Sequence, residues 1–184
     1  MSRQQQASRP GRPRPALDPA TIRALALHYV GRYATTQARL RQYLDRKLRE
    51  RGWAESVPLP DLEQLVSEFA RLGYVDDDSF AANRVTSLLR RGYGEKRLNS
   101  ALRQAGIAAD KAELAARVDR DSARNAAMAF ARRRRLGPFG PPLSDAKART
   151  RAVAAFLRAG HSFEIVREIL TIEPDDSDFR DFYG

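Results

Sequence analysis

The sequence predicts an all-α fold made of three tandem three-helix repeats in an elongated, curved array. Three observations carry that expectation. Apolar residues recur at 3.6-residue spacing between cap residues and glycines, no alternating strand pattern of useful length occurs, and the middle helices of successive groups share a phase. Each group is too small to bury its apolar face alone and so depends on its neighbours.

Residues 1–16, MSRQQQASRPGRPRPA, hold three prolines, four arginines and no aliphatic residue larger than Met1 or alanine. Burial cannot offset the ordering entropy of such a segment, so a disordered basic tail is expected. The first repeat, 17–75, opens with Asp18 as a cap and Pro19 in the first turn, followed by a stripe of Ile22, Leu25, Ala26, Tyr29, Val30 and Tyr33. Thr35 or Thr36 starts a second helix with Leu40, Tyr43, Leu44 and Leu48 inward and Gly52 at its end. After Pro58 and Pro60 a third begins near Asp61 and carries Leu62, Leu65, Val66, Phe69 and Leu72 up to Gly73.

The second repeat, 76–118, restates the plan in shorter form. Asp76, Asp77 and Asp78 precede Phe80, Val85, Leu88 and Leu89, with Gly92 as the stop. Leu98, Ala101, Leu102 and Ala105 form the next helix, stopped by Gly106, and a short third holds Leu114 and Val118. The third repeat, 119–172, predicts helices from about Asp121 to Arg135, Ser144 to Ala159 and Ser162 to Leu170. The closing EPDDSDFRDFYG, 173–184, is an acidic tail bearing Phe179, Phe182 and Tyr183. It reads first as a frayed end; a charge mimic that covers the basic face, or a docking peptide, are the alternatives.

The middle helices support repetition. RLNSALRQAGI from Arg97 and RAVAAFLRAGH from Arg151 share a cation, an apolar residue, a second apolar residue four further on, and Ala-Gly beyond it. RLRQYLDRKLRERGW from Arg39 begins the same way and has one extra turn before Gly52.

Charge bounds the partner. The chain carries 33 Lys and Arg against 23 acids, a net charge of +10, and residues 17–172 alone carry 28 and 18. Such an excess points to a polyanion, usually nucleic acid. The absence of cysteine excludes disulfides, thiolate metal sites and thiol nucleophiles. No run approaches the roughly 20 apolar residues of a membrane span, and residues 1–16 lack the apolar middle of a secretory signal, so a soluble cytoplasmic protein without a membrane partner is expected. His28 and His161 stand far apart with no acid at ligand spacing, and Asp76 to Asp78 read as helix caps. Without an acid, base and nucleophile constellation, no enzyme, metal or cofactor is expected.

RRGYGEKRLNSALRQAGI, 90–107, places four cations around Gly-Tyr-Gly. A phosphate cradle would need Gly-x-x-x-x-Gly-Lys and Ser or Thr after a strand, whereas GYGEKR follows a helix. Gly92 is expected to be left-handed at a helix end, with Gly94 and Glu95 opening the next. Arg90 and Arg91 suit a helix C-terminus; Lys96 and Arg97 fall at an N-terminus, where an outside anion would explain them. Tyr74 and Trp53, each after a helix-ending glycine, are expected in the core rather than as base-stacking platforms.

These motifs have a family likeness. FARLGYVDDDSFAANRVTSLLRRGYGEKRLNSALRQAGI, 69–107, strongly resembles the central region of the RecX family of recombinase regulators. The matching hallmarks are Leu72-Gly73-Tyr74, Asp76 to Asp78, Phe80-Ala81, Arg91-Gly92-Tyr93-Gly94 and the helix from Leu98 to Gly106, and ARLRQYLDRKLRERGW looks like the family's first repeat. The resemblance implies a monomeric, non-enzymatic regulator of RecA that lodges along the RecA filament on single-stranded DNA, with weaker duplex binding. It would chiefly limit filament extension, and so regulate DNA repair, homologous recombination and the SOS response. The residues expected to meet phosphates and acidic recombinase surface are Arg39, Arg90, Arg91, Lys96, Arg97, Arg103, Arg132, Arg133, Arg134, Arg135 and Arg151. The connector AESVPLPD at 54–61 is longer than the family's usual link, and the arginine-rich N-terminus is an addition. The alternative is a helix-turn-helix protein acting on duplex DNA in transcription, which would place Asn or Gln at a recognition-helix start.

Overall fold

The computed structural model describes residues 15–143 and 145–172; the acidic segment 173–184 and all but the last two residues of the basic segment lie outside the described residues. Among the described residues are nine α-helices: α1 (Pro19–Arg32), α2 (Gln37–Arg51), α3 (Leu62–Arg71), α4 (Asp77–Arg90), α5 (Glu95–Gln104), α6 (Ala109–Ala116), α7 (Arg120–Arg134), α8 (Ala146–Arg158) and α9 (Phe163–Thr171). A 3₁₀ turn covers Gly137–Phe139, and a β-bridge joins Leu17 to Trp53.

Local chemistry sets the helix bounds. Asp18, Thr36, Asp61, Asp76, Asp119, Asp145 and Ser162 are N-caps whose side chains accept a first-turn N–H, satisfying donors the helix leaves orphaned. At the other ends, Gly73, Gly92, Gly106 and Gly160 are left-handed, and the residue after each donates back to the carbonyl five positions earlier. The bond from Tyr93 N–H to the Leu88 carbonyl, 3.1 Å, is one of this set.

Three separate cores result, one per triplet. Ile22, Ala26, Leu40, Leu44, Val66 and Phe69 build the first. Ala81, Leu88, Leu98, Leu102, Ala112 and Ala116 build the second. Met128, Phe130, Phe156, Ile165, Val166 and Ile169 build the third. Half-buried Tyr93 packs against both the second and the third.

The triplets join by setting the middle helices head to tail. Gly94 and Lys96, at the start of α5, donate their N–H groups to the Ala159 and Gly160 carbonyls at the end of α8, at 3.0 and 3.2 Å. Likewise the Thr36 hydroxyl at the start of α2 donates to the Ala105 carbonyl at the end of α5, and Asp77 accepts the Gln37 N–H at 2.9 Å. A negative helix end thus meets a positive one at both joints. Thr36 occupies the place of Gly94, and Gly106 that of Gly160, so the two joints are versions of one contact. The joining ends match in length, and the extra turns of α2 and α8 fall at their outer ends.

Some side chains differ from expectation. Leu114 is exposed, because α6 turns Ala112 and Ala116 inward and so places residue 114 on the opposite side. Small residues bring α6 close to α5, and Val118 lies beyond the end of α6. Leu72 and Tyr33 are exposed at helix ends, where a three-helix unit has no layer left to cover them. Tyr74 is exposed too: its ring leans on Phe69 at 5.5 Å while the rest faces solvent. Trp53 is half-buried against the first core, and its Nε1 donates to the Val57 and Pro58 carbonyls.

Candidate nucleic-acid interface

The joint between the second and third triplets is built around Tyr93. The left-handed turn at Gly92 ends α4 against the backbone of α7, where a Cβ would lie 2.7 Å from the Phe130 nitrogen. Any side chain there would push the two helices apart. This close approach delivers three guanidinium groups to one aromatic ring. Arg91, Arg97 and Arg133 stand 5.5, 5.9 and 5.7 Å from the Tyr93 centroid. They come from the end of α4, the start of α5 and the end of α7. Arg133 also donates to the Arg91 carbonyl, which ties the α7 end to the α4 end.

Each such contact is worth roughly 0.5–1 kcal/mol at an exposed site. More important, the ring holds the three arginines in place while all three stay exposed to solvent, Arg133 spending one donor on the Arg91 carbonyl. Among the described residues no carboxylate is within ion-pairing distance of these three, nor of Arg39, Arg90, Lys96, Arg103, Arg132, Arg134, Arg135 or Arg151. The ion-paired cations lie elsewhere: Arg23 with Glu68 at 2.7 Å, Arg49 with Asp45 at 2.8 Å, Arg124 with Glu168 at 2.8 Å. The charge at this joint is therefore uncompensated, as a surface for phosphates requires.

Arg135 has a further peculiarity. It is the one non-glycine residue with positive φ among the described residues, at φ 52 and ψ 56, in the position that four other helix ends give to glycine. A left-handed residue with a Cβ costs about 1–2 kcal/mol. Its side chain is exposed at the end of α7.

The remaining expected residues are distributed as follows. Arg132 and Arg134 lie 5.3 Å from Phe139 and 6.0 Å from Phe130. Lys96 and Arg103 line a shallow concavity on α5 with Asn99, Ser100 and Gln104. Arg90 is exposed at the end of α4. Arg39 belongs to the other joint, 5.5 Å from Phe80, and Arg151 is exposed on α8; neither touches Tyr93. Lys96 and Arg97 need no outside anion to explain their helix N-terminus, because the carbonyl end of α8 faces it.

Sequence reasoning missed three contributors: Tyr93 as the hub, Gly160 as the close contact, and His161. His161 is only 2% exposed, and its Nε2 donates to the Gly92 carbonyl at 3.2 Å. Burial pushes its pKa down, and the bond to Gly92 opposes that only in part. The glycine at 160 was visible in the repeat phase; its partner across the joint was not.

Known proteins place the chain. The RecX second three-helix domain matches residues 76–115, the span of α4 to α6. "Regulatory protein RecX" of Myxococcus xanthus (strain DK1622) is 33% identical over 172 residues, covering 90% of this chain and 91% of that protein. The chain belongs to the RecX family. A "Regulatory protein RecX" from Agrobacterium fabrum is 29% identical over 158 residues, covering 83% of each chain. The crystal structure of RecX from Lactobacillus salivarius shares the fold, with a TM-score of 0.59 at 18% identity, over 82% of this chain and 93% of that one.

The RecX domain match contains Arg90, Arg91, Tyr93, Lys96, Arg97 and Arg103, and so spans the α4 and α5 side of the cluster. Of the aspartates at its start, Asp76 is the cap: it accepts from the Asp78 and Ser79 N–H groups, and its bonds, the Ser79 hydroxyl first, pull its carboxyl below the usual range, whereas Asp77 serves the joint to α2. Among the described residues no group of three metal-ligating side chains occurs, and no helix is long and apolar enough to cross a membrane.

Proposed function

We propose that this RecX-family chain is a non-enzymatic, cytoplasmic regulator of RecA that binds the RecA filament on single-stranded DNA and mainly limits its extension. The observation that carries the reading is the convergence of Arg91, Arg97 and Arg133 on Tyr93 without a carboxylate partner. Three preoriented guanidinium groups suit phosphate oxygens, because little side-chain freedom remains to be lost on binding. The exposed Arg90, Lys96, Arg103 and Arg132 to Arg135 widen the contact, and Arg39 and Arg151 extend it to the neighbouring joint and helix. A single-stranded backbone meets this face without base-specific readout, and duplex DNA binds more weakly.

The test is the ATPase activity of RecA on single-stranded DNA at protein-to-recombinase ratios up to one. The wild-type chain lowers it, and the Arg91→Ala, Arg97→Ala, Arg133→Ala triple variant does so far less. No change with the wild-type chain overturns the reading.

A further inference from the structure

A second surface on the third triplet has no place in that reading. Between α8 and α9 runs an open groove lined by Arg149, Thr150, Val153, Phe163, Arg167 and Leu170. Its floor is apolar, and Phe163 is 61% exposed, unusual for a phenylalanine with a core only a turn away. Its rim is basic: Arg149 and Arg167 line it, both exposed, and among the described residues neither has a carboxylate partner. An occupant would need aromatic side chains for the floor and negative charge for the rim.

The chain carries such a segment in the right place. Residues 173–184, EPDDSDFRDFYG, hold five acids against one arginine, with Phe179, Phe182 and Tyr183. They begin three residues beyond Leu170 of the groove. The groove extends about 10 Å along α9 from Leu170 back to Phe163, and a twelve-residue segment reaches up to about 40 Å. Length therefore allows the segment to double back and lay its aromatic residues beside Phe163 and Val153.

We propose that the acidic, aromatic C-terminal segment docks in the α8–α9 groove of its own chain. Docking covers Phe163, gives Arg149 and Arg167 acidic partners, and withdraws this end of the array from other polyanions. Tethering makes even a weak contact effective, because the local concentration of the segment is high. The docking does not depend on the regulatory reading.

The chain has no cysteine, so paired substitutions report cleanly. Under mild oxidation, Val153→Cys with Phe182→Cys forms an intrachain disulfide about tenfold faster than Arg151→Cys with Phe182→Cys, whose helix cysteine lies on the side of α8 turned away from the groove. Equal rates overturn the proposal, and so does a product linked only between chains, which would make a second copy the occupant. A second measurement leaves the described fold untouched: amide exchange over 163–171 in the full chain, in a chain ending at Ile172, and in Phe179→Ser, Phe182→Ser, Tyr183→Ser. Both altered tails speed exchange severalfold if the aromatic residues dock. Unchanged exchange in the serine variant means that charge alone acts, and overturns the proposal. Neither readout uses RecA or DNA, so their failure is distinct from failure of the regulatory reading.

Discussion

The Gly94 N–H donates to the Ala159 carbonyl at 3.0 Å, setting the first turn of α5 on the last turn of α8. The contact satisfies orphan groups on both helices and aligns their dipoles. It also fixes the distance between the second and third triplets, and so brings the ends of α4 and α7 to Tyr93.

The glycines that permit this contact should be intolerant of a methyl group. At Gly160, φ is +96 and a Cβ would lie 2.4 Å from the Arg97 nitrogen, whereas at Gly73 the φ is +77 with nothing within 4 Å. Gly160→Ala combines left-handed strain with a backbone clash and costs roughly 2–4 kcal/mol. Gly73→Ala meets strain alone and costs about 1 kcal/mol. Urea unfolding of the two variants checks the difference; equal losses would mean that the joint yields without cost.

Thr36 closes the other joint. It is fully buried, donates to the Ala105 carbonyl and accepts from the Arg39 N–H. Thr36→Val keeps the shape and loses both bonds, a cost of roughly 2 kcal/mol. Thr36→Ser retains them and stays much nearer to wild type in the same denaturation experiment.

Arg135 sets stability against binding. Arg135→Gly relieves the left-handed strain and raises stability by about 1 kcal/mol. The same change lowers affinity for single-stranded DNA, measured by fluorescence anisotropy, and shrinks its salt dependence. A variant that is more stable and binds equally well would leave the arginine without a role.

His161 ties stability to pH. Its pKa is depressed in the folded chain, so the unfolded chain takes up the proton first as pH falls below about 6.5. The contribution is fully present above that value and is lost toward the lower folded pKa, with a slope of up to about 1.4 kcal/mol per pH unit. His161→Gln removes this slope between pH 7.5 and 5.5 in urea midpoints.

The arginine cluster has a salt signature. Log affinity for single-stranded DNA falls with log salt by about 0.7 for each phosphate neutralised, so Arg91→Ala, Arg97→Ala and Arg133→Ala each flatten the slope by about that amount. Tyr93→Leu keeps every cation, so the slope stays, but affinity drops severalfold because the arginines lose the ring that orients them.

How much of this was legible depends on range. Asp18, Thr36, Asp61 and Ser162 mark helix starts, and Gly92, Gly106 and Gly160 mark ends, through bonds within a few residues; these bounds follow from reading along the chain. Leu114 and Tyr74 were misplaced because an apolar side chain states only that it gains from burial, not whether a neighbour is near enough to bury it. The cations around Gly-Tyr-Gly were recognisable as a group, yet Lys96 and Arg97 invited an external anion because α8, more than fifty residues later, was not visible beside them.

By itself, then, the sequence determined nine helices, several of their caps, their grouping in threes and the excess of positive charge, since short-range hydrogen bonds and apolar periodicity specify these; it set the starts of α7 and α8 near Asp121 and Ser144, where the structure caps them with Asp119 and Asp145. Only the tertiary structure decided that α8 abuts α5 and α5 abuts α2, that Arg133 of α7 reaches the Tyr93 ring, and that a buried histidine holds the turn beneath it. Those contacts join residues forty or more positions apart, and their geometry depends on how closely glycine lets two backbones approach, which no local pattern encodes.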